Sequence, residues 1–361
     1  MKPTTNKRKT VNLTKVQKKG TKKMKRATRV KEIPPMENIW VLVNKDFEFK
    51  GFKPGFEFAM VTAGCSVIKK NAVVSRKQGA RPEVIYKMGN LTVTVFCIEN
   101  IVGKGAPSSN SKFKFDRLTN HFKLLQARPD CIFSVSTSES TYEGQGNKPT
   151  VDEDETASAN GCVYVGGRFF IADCRTIDKP KDKKSELSLE EKSAVPTRYF
   201  PLQDRVADLL ANLNNSTLVT EISKSLQTVP SYSAKTLRYL SDPKLCCVGV
   251  VNVTNYAQYP IADGYAYGRF YTETAERYGN PICIETTHGV VRMVAEKVYK
   301  GNVPPVIFVS PITDRFVRFD KDVTSTKDKE KFDNQNYACS YNSGIAVAHM
   351  MKFLDDPKSY E

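Results

Sequence analysis

Histidine is scarce in this chain: His121, His288 and His349 are the only three among 361 residues. None is placed with another histidine and the cysteines at zinc-ligand spacing, so neither a metal site nor another cofactor is expected. C-x-x-C spacing is missing as well. The nine cysteines (Cys65, Cys97, Cys131, Cys162, Cys174, Cys246, Cys247, Cys283, Cys339) are scattered, odd in number and mostly set inside apolar runs. That pattern reads as reduced, buried thiols of a cytoplasmic or nuclear protein. No apolar stretch resembles a signal peptide or is long enough to cross a bilayer, so no association with a membrane is expected. Acidic residues are absent from Met1 to Lys31, which carry 13 Lys and Arg. The formal charge of +16 therefore belongs mostly to this stretch, since the remaining 42 basic residues face 39 acidic ones. A groove-binding nucleic-acid domain would carry a basic face of its own, and the body of the chain shows no such excess.

Residues 1–35 read as a basic, disordered tail. Its Lys-Lys-Gly-Thr-Lys-Lys-Met-Lys-Arg run permits three readings: a solvated arm, a nuclear address, or an arm that binds nucleic acid or an acidic partner through residues 1–31. From residue 36 to 361 no Pro-, Gly- or Ser-rich linker interrupts the sequence. One α/β domain is expected, a mixed central β-sheet flanked by helices, with surface insertions near 139–160, 178–193 and 320–336. Buried strands are expected at Ile39–Val43, Phe58–Thr62, Val84–Lys87, Leu91–Ile98, Cys131–Val135, Leu245–Val253, Ile282–Glu285 and Val306–Ser310. Cys162–Val165 and Arg168–Ala172 read as a hairpin. Helical spacing marks Asp116–Gln126, Gln203–Asn215, Thr217–Leu226, Tyr265–Tyr278, Thr286–Tyr299 and Ser343–Leu354. Ser136–Gly161 and Asp320–Asn336 read as loops. The first third then holds strands without intervening helices.

Two carboxylates stand just past apolar strands, where α/β sheets place their ligands: Glu285 in Ile284-Glu285-Thr286-Thr287, and Asp314 in Pro311-Ile312-Thr313-Asp314. Either could equally cap a helix. Together and in this order, they resemble the purine and uridine phosphorylase superfamily, which also includes nucleosidases. Ile284–Thr287 looks like its Met-Glu-(Thr/Ser/Ala)-Ala motif, and Ile307–Asp314 like its strand ending in (Ile/Val)-Ser-Asp. The likeness continues in Arg128-Pro129-Asp130 before a buried strand, in Gly161–Val165, and in the closing helix from Asn342 to Ala348. It also takes in Trp40–Val43 with the following Asn44-Lys45-Asp46-Phe47-Glu48.

This resemblance implies a three-layer phosphorylase-like fold, a nucleoside ligand, and an oligomer of identical chains. By the same resemblance Glu285 would hold the ribose hydroxyls and Asp314 would act as general acid at the purine N7. Glu48 would activate water in a hydrolytic member, and Tyr256 and Tyr259 would stack on the base. Ser136 and Thr137 would line the phosphate or water loop. The chemistry requires such groups: a purine leaves ribose through a cationic, oxocarbenium-like sugar, stabilised by a nearby carboxylate and by an acid on the leaving base. Where the family has Gly-(Thr/Ser)-Ala-Gly-Gly, this chain has Ser136-Thr137-Ser138-Glu139-Ser140. Without those glycines the backbone cannot approach as closely, and Glu139 would repel phosphate. Two readings follow: cleavage of an N-glycosidic bond by water, or by phosphate as co-substrate; or an inactive scaffold or ligand sensor whose tail does the molecular work.

Overall fold

Along the first strand, side chains alternate between two apolar cores. Ile39, Val41 and Val43 enter one cluster, while Trp40 and Leu42 enter the other. A strand buried on both faces reads as one continuous apolar run, as this one does. The computed structural model describes residues 35–62, 83–104, 110–125, 127–140, 161–174, 197–226, 243–257, 282–315 and 329–360, without the side chains of 197, 314–315, 329–335 and 359–360. The basic tail up to residue 34, the insertion at 178–193 and the helix expected at Tyr265–Tyr278 lie outside the described residues.

In chain order the elements are β1 (Asn38–Val43), α1 (Asp46–Thr62), β2 (Val84–Met88), β3 (Leu91–Cys97), α2 (Ile98–Val102), α3 (Ser111–Leu124), β4 (Cys131–Val135) and β5 (Ser138–Ser140). There follow β6 (Val163–Gly166), β7 (Arg168–Asp173), β8 (Thr197–Phe200), α4 (Asp204–Asn215), α5 (Leu218–Leu226), β9 (Leu245–Cys246) and β10 (Val251–Tyr256). The chain continues with β11 (Ile282–Glu285), α6 (His288–Val298), β12 (Val306–Arg315), α7 (Lys329–Asp355) and a closing 3-10 turn, Pro357–Tyr360.

The strands form one mixed twelve-stranded sheet in the order β2-β3-β1-β4-β12-β5-β11-β10-β7-β8, with β6 pairing both β12 and β9. Apolar residues of α1, α4, α5 and α7 fill the core on one face; those of α2, α3 and α6 fill the other. This is the expected mixed sheet between helical layers. Strand β12 holds it together: Val306–Val309 run parallel to β4, and from Ile312 its end runs parallel to β5, with a register shift between Ile312 and Asp314. Strand β11 runs antiparallel to β5, so its carboxyl end arrives at the β4–β5 junction from the opposite direction.

Several expectations are corrected. Phe58–Thr62 belongs to helix α1: buried Phe52, Phe56, Ala59 and Met60 recur at helical spacing, and Phe52 stacks on Phe56 at 5.7 Å. A helix therefore does intervene in the first third. Strands β6 and β7 are not a hairpin, since β6 pairs β12 and β9 whereas β7 pairs β10 and β8. The apolar run from Leu245 breaks into β9 and β10 at Gly249, whose φ of 72° favours glycine. Ser138–Ser140 is a strand rather than loop, and Lys329–Asn336 is the start of α7 rather than part of a charged loop.

Candidate active site

The sequence turns from strand to helix at Asn44, and the helix that follows is capped by its own first turn. Glu48 Oε2 accepts the Lys45 backbone N–H at 2.8 Å, the return contact of a capping box. Its other oxygen faces the segment after β4. Oε1 accepts the Thr137 N–H at 2.9 Å and the Thr137 hydroxyl at 2.6 Å, with the Ser136 hydroxyl at 3.5 Å. Burial pushes the Glu48 carboxyl above its usual range against these hydrogen bonds. Ser136 also accepts from Asn44 Nδ2 at 3.2 Å.

Glu285, at the carboxyl end of β11, is 3% exposed. Its Oε1 accepts from Asn252 Nδ2 at 3.1 Å, the Thr254 hydroxyl at 2.8 Å and the His288 N–H at 3.0 Å. Its Oε2 accepts the same His288 N–H and that of Thr287. The carboxylate thus sits on the N-terminus of α6 and performs the capping that the Thr287 side chain does not. Burial nevertheless raises its pKa.

Between the two carboxylates lies a cation. Lys114 of α3, 1% exposed, donates to Asn44 Oδ1 at 3.3 Å, the Thr286 carbonyl at 3.2 Å and the Thr287 hydroxyl at 2.8 Å. Deeper in, His288 holds Ser134 Oγ on Nδ1 and Ser310 Oγ on Nε2, both at 2.8 Å, and the Cys283 thiol donates to Ser310 Oγ at 3.3 Å. Burial, and then the Lys114 charge, hold His288 down to about 3, so it is neutral and bridges two hydroxyls. A buried polar network therefore runs from Glu48 to Glu285 across the ends of β1, β4 and β11.

Of the residues expected from sequence, Glu48, Ser136, Thr137 and Glu285 come together here. Tyr256 is buried in the apolar cluster on β10, two residues beyond Thr254. Asp314 is a β12 residue paired with Glu139 of β5, and its side chain lies outside the described residues, as does the whole of Tyr259. Lys114, Asn252 and Thr254 have no place in the sequence motifs, and Asn44 enters them only as the residue that opens the turn after β1. Lys114 carried a signal: it shares the buried stripe of α3 with Leu118, His121 and Phe122, at helical spacing. Among the described residues no group of three or more His, Cys, Asp and Glu could hold a metal ion, and no helix is long and apolar enough to cross a membrane. The eight described cysteines are free thiols, all buried except the half-buried Cys246.

Fold and site together define a three-layer α/β domain whose strand ends gather two buried glutamates around one lysine. Similar solved structures come from the superfamily that the motifs resemble. They include the 5'-methylthioadenosine nucleosidase of Arabidopsis thaliana (13% identity, 89% of this chain and 97% of that one, TM-score 0.45). A putative 5'-methylthioadenosine/S-adenosylhomocysteine nucleosidase of Borrelia burgdorferi bound to adenine is 11% identical over 87% of this chain and 99% of its own, with a TM-score of 0.46. Uridine phosphorylase of Schistosoma mansoni in complex with thymidine is 12% identical over 88% of this chain and 86% of its own, with a TM-score of 0.42. No family model matches the chain, and no curated protein matches it. At these identities, and with TM-scores below 0.5, the likeness assigns neither substrate nor reaction.

Proposed function

We propose that the chain binds a purine nucleoside at the ends of β1, β4 and β11 and cleaves its N-glycosidic bond with water. The observation that carries this reading is the meeting of Glu48 with Thr137 in one buried polar network with Glu285, three segments set 89 and 148 residues apart along the chain. Glu48 directs Oε1 at the Ser136–Thr137 segment, and a water that displaces the Thr137 hydroxyl from that oxygen would give up its proton there. Glu285 holds the ribose side, Asp314 donates to the leaving base, and Tyr256 and Tyr259 border the base. Water is favoured over phosphate because Ser138–Ser140 is tied into the sheet as β5, with Glu139 in it, rather than free to cradle an anion. The protein works as an oligomer of identical chains.

A second reading, binding without cleavage, is favoured by one specific contact set. The Glu285 oxygens already take four donors, which fills the roughly four lone-pair positions of a carboxylate. Ribose hydroxyls must then displace Asn252 or Thr254. Release of free base from a panel of purine and pyrimidine nucleosides, with and without phosphate, separates the two. Phosphate-independent release that is lost in Glu48→Gln and Asp314→Asn supports hydrolysis. Ligand binding by calorimetry with no release by the wild type supports the sensor or scaffold.

A further inference from the structure

An ammonium taken out of water is costly unless the fold supplies acceptors for it. Lys114 has three N–H groups and three protein acceptors, and they come from two different turns: Asn44 just after β1, and Thr286 with Thr287 just after β11. Each turn leads to one carboxylate. Asn44 donates to Ser136 Oγ, which lies beside Glu48, and the Thr287 backbone N–H meets Glu285. Charged and titratable groups act on the ammonium from several elements: Lys45 from the β1–α1 turn, Glu48 from the first turn of α1, Glu99 from α2, Glu285 from β11 and His288 from α6. Burial and Lys45 oppose the charged form, the three glutamates favour it, and the balance leaves Lys114 at about 8.

We propose that Lys114 is the positioning residue of this site: its ammonium ties the β1–α1 turn to the β11–α6 turn and so sets the separation of Glu48 and Glu285. All three of its donors are spent on the protein, so it acts through the two glutamates rather than on a ligand. The inference rests on the nucleosidase reading for the identity of the ligand, while the tie between the turns stands without it.

The test uses the full chain with Lys114→Met and Lys114→Arg, folding being checked by circular dichroism. Two quantities are read: the carboxyl titration of Glu285 by carbon NMR, and the kinetics of base release from a purine nucleoside. In Lys114→Met the Glu285 carboxyl is expected to titrate higher than in the wild type, having lost its cation. Its kcat is expected to fall about 10- to 100-fold with KM kept within about threefold, because misplaced groups damage the transition state more than binding. Lys114→Arg should recover part of both. An unchanged Glu285 titration in folded Lys114→Met overturns the proposal, as does a loss confined to KM. If the wild type releases no base, the nucleosidase reading falls and the titration decides the tie alone. Should Lys114→Met fail to fold, Thr287→Val removes one acceptor. The Lys114 amine should then titrate lower than in the wild type, and an unchanged value would overturn the tie.

Discussion

Burial raises the pKa of both Glu48 and Glu285, yet their oxygens are spent differently. Glu285 is enclosed by donors from β10 and α6, whereas Glu48 divides itself between its own helix and the Ser136–Thr137 segment. A general base must be ionised, so the acid limb of base release should lie above the ordinary carboxylate range, activity falling as pH drops through the raised Glu48 value. Glu48→Gln should lower kcat by about 10²- to 10⁴-fold and remove that limb, measured as rate against pH. His288 gives a stability signature instead. Its folded-state value of about 3 lies below 6.5, so the unfolded chain binds the extra proton throughout that window and acid favours unfolding. His121 and His349, held near 4 by burial, act in the same sense; Glu48 and Glu285 act oppositely above 4.5. Denaturant unfolding at several pH values isolates the histidine: His288→Gln should flatten the fall from pH 6.5 to 3 by about 1.4 kcal/mol per pH unit.

At the scale of elements, helices α1 and α7 approach so closely that their crossing points leave no room for a Cβ. A Cβ added at Gly55 would run into the Tyr341 carbonyl oxygen, and one at Gly344 into the Phe52 carbonyl oxygen. Gly55→Ala should therefore destabilise by about 1–3 kcal/mol, despite the usual gain of replacing helical glycine, read from the denaturation midpoint. The same helix shows why boundaries were hard to read. Phe58–Thr62 alone looks like a strand, and only the preceding Phe52 and Phe56, buried on the same face, reveal the longer helical period. In α3 the helix was legible from Asp116 onward, but its first turn was not, because its start depends on Asn110, whose side chain accepts the Phe113 N–H. Missing that turn meant missing Lys114.

Across the whole molecule, the layers followed from sequence because β1, β4 and β11 are apolar runs covered on both faces and α4, α5 and α6 keep helical spacing. The pairings did not, since β6 and β7 are adjacent in sequence yet bond to strands far away, β12 and β10. The candidate site was half legible: Glu285 can be found by its position at a strand end and Glu48 by the likeness of the turn before it, but acceptors and donors such as Asn44, Asn252 and Thr254 acquire their meaning only when the sheet assembles. The tail calls for a separate test. We expect the full chain to bind a polyanion with strong salt dependence and a chain lacking residues 1–31 to lose that binding while keeping base release. Heparin retention against salt concentration would show it.

The most direct test of the central claim is to incubate the wild-type protein with a purine nucleoside in ¹⁸O-labelled water and weigh the released sugar. Hydrolysis at this site places one labelled oxygen on the sugar, with no sugar phosphate formed when phosphate is added. Unlabelled sugar phosphate, or a folded protein that releases no base from any purine nucleoside, would contradict the account.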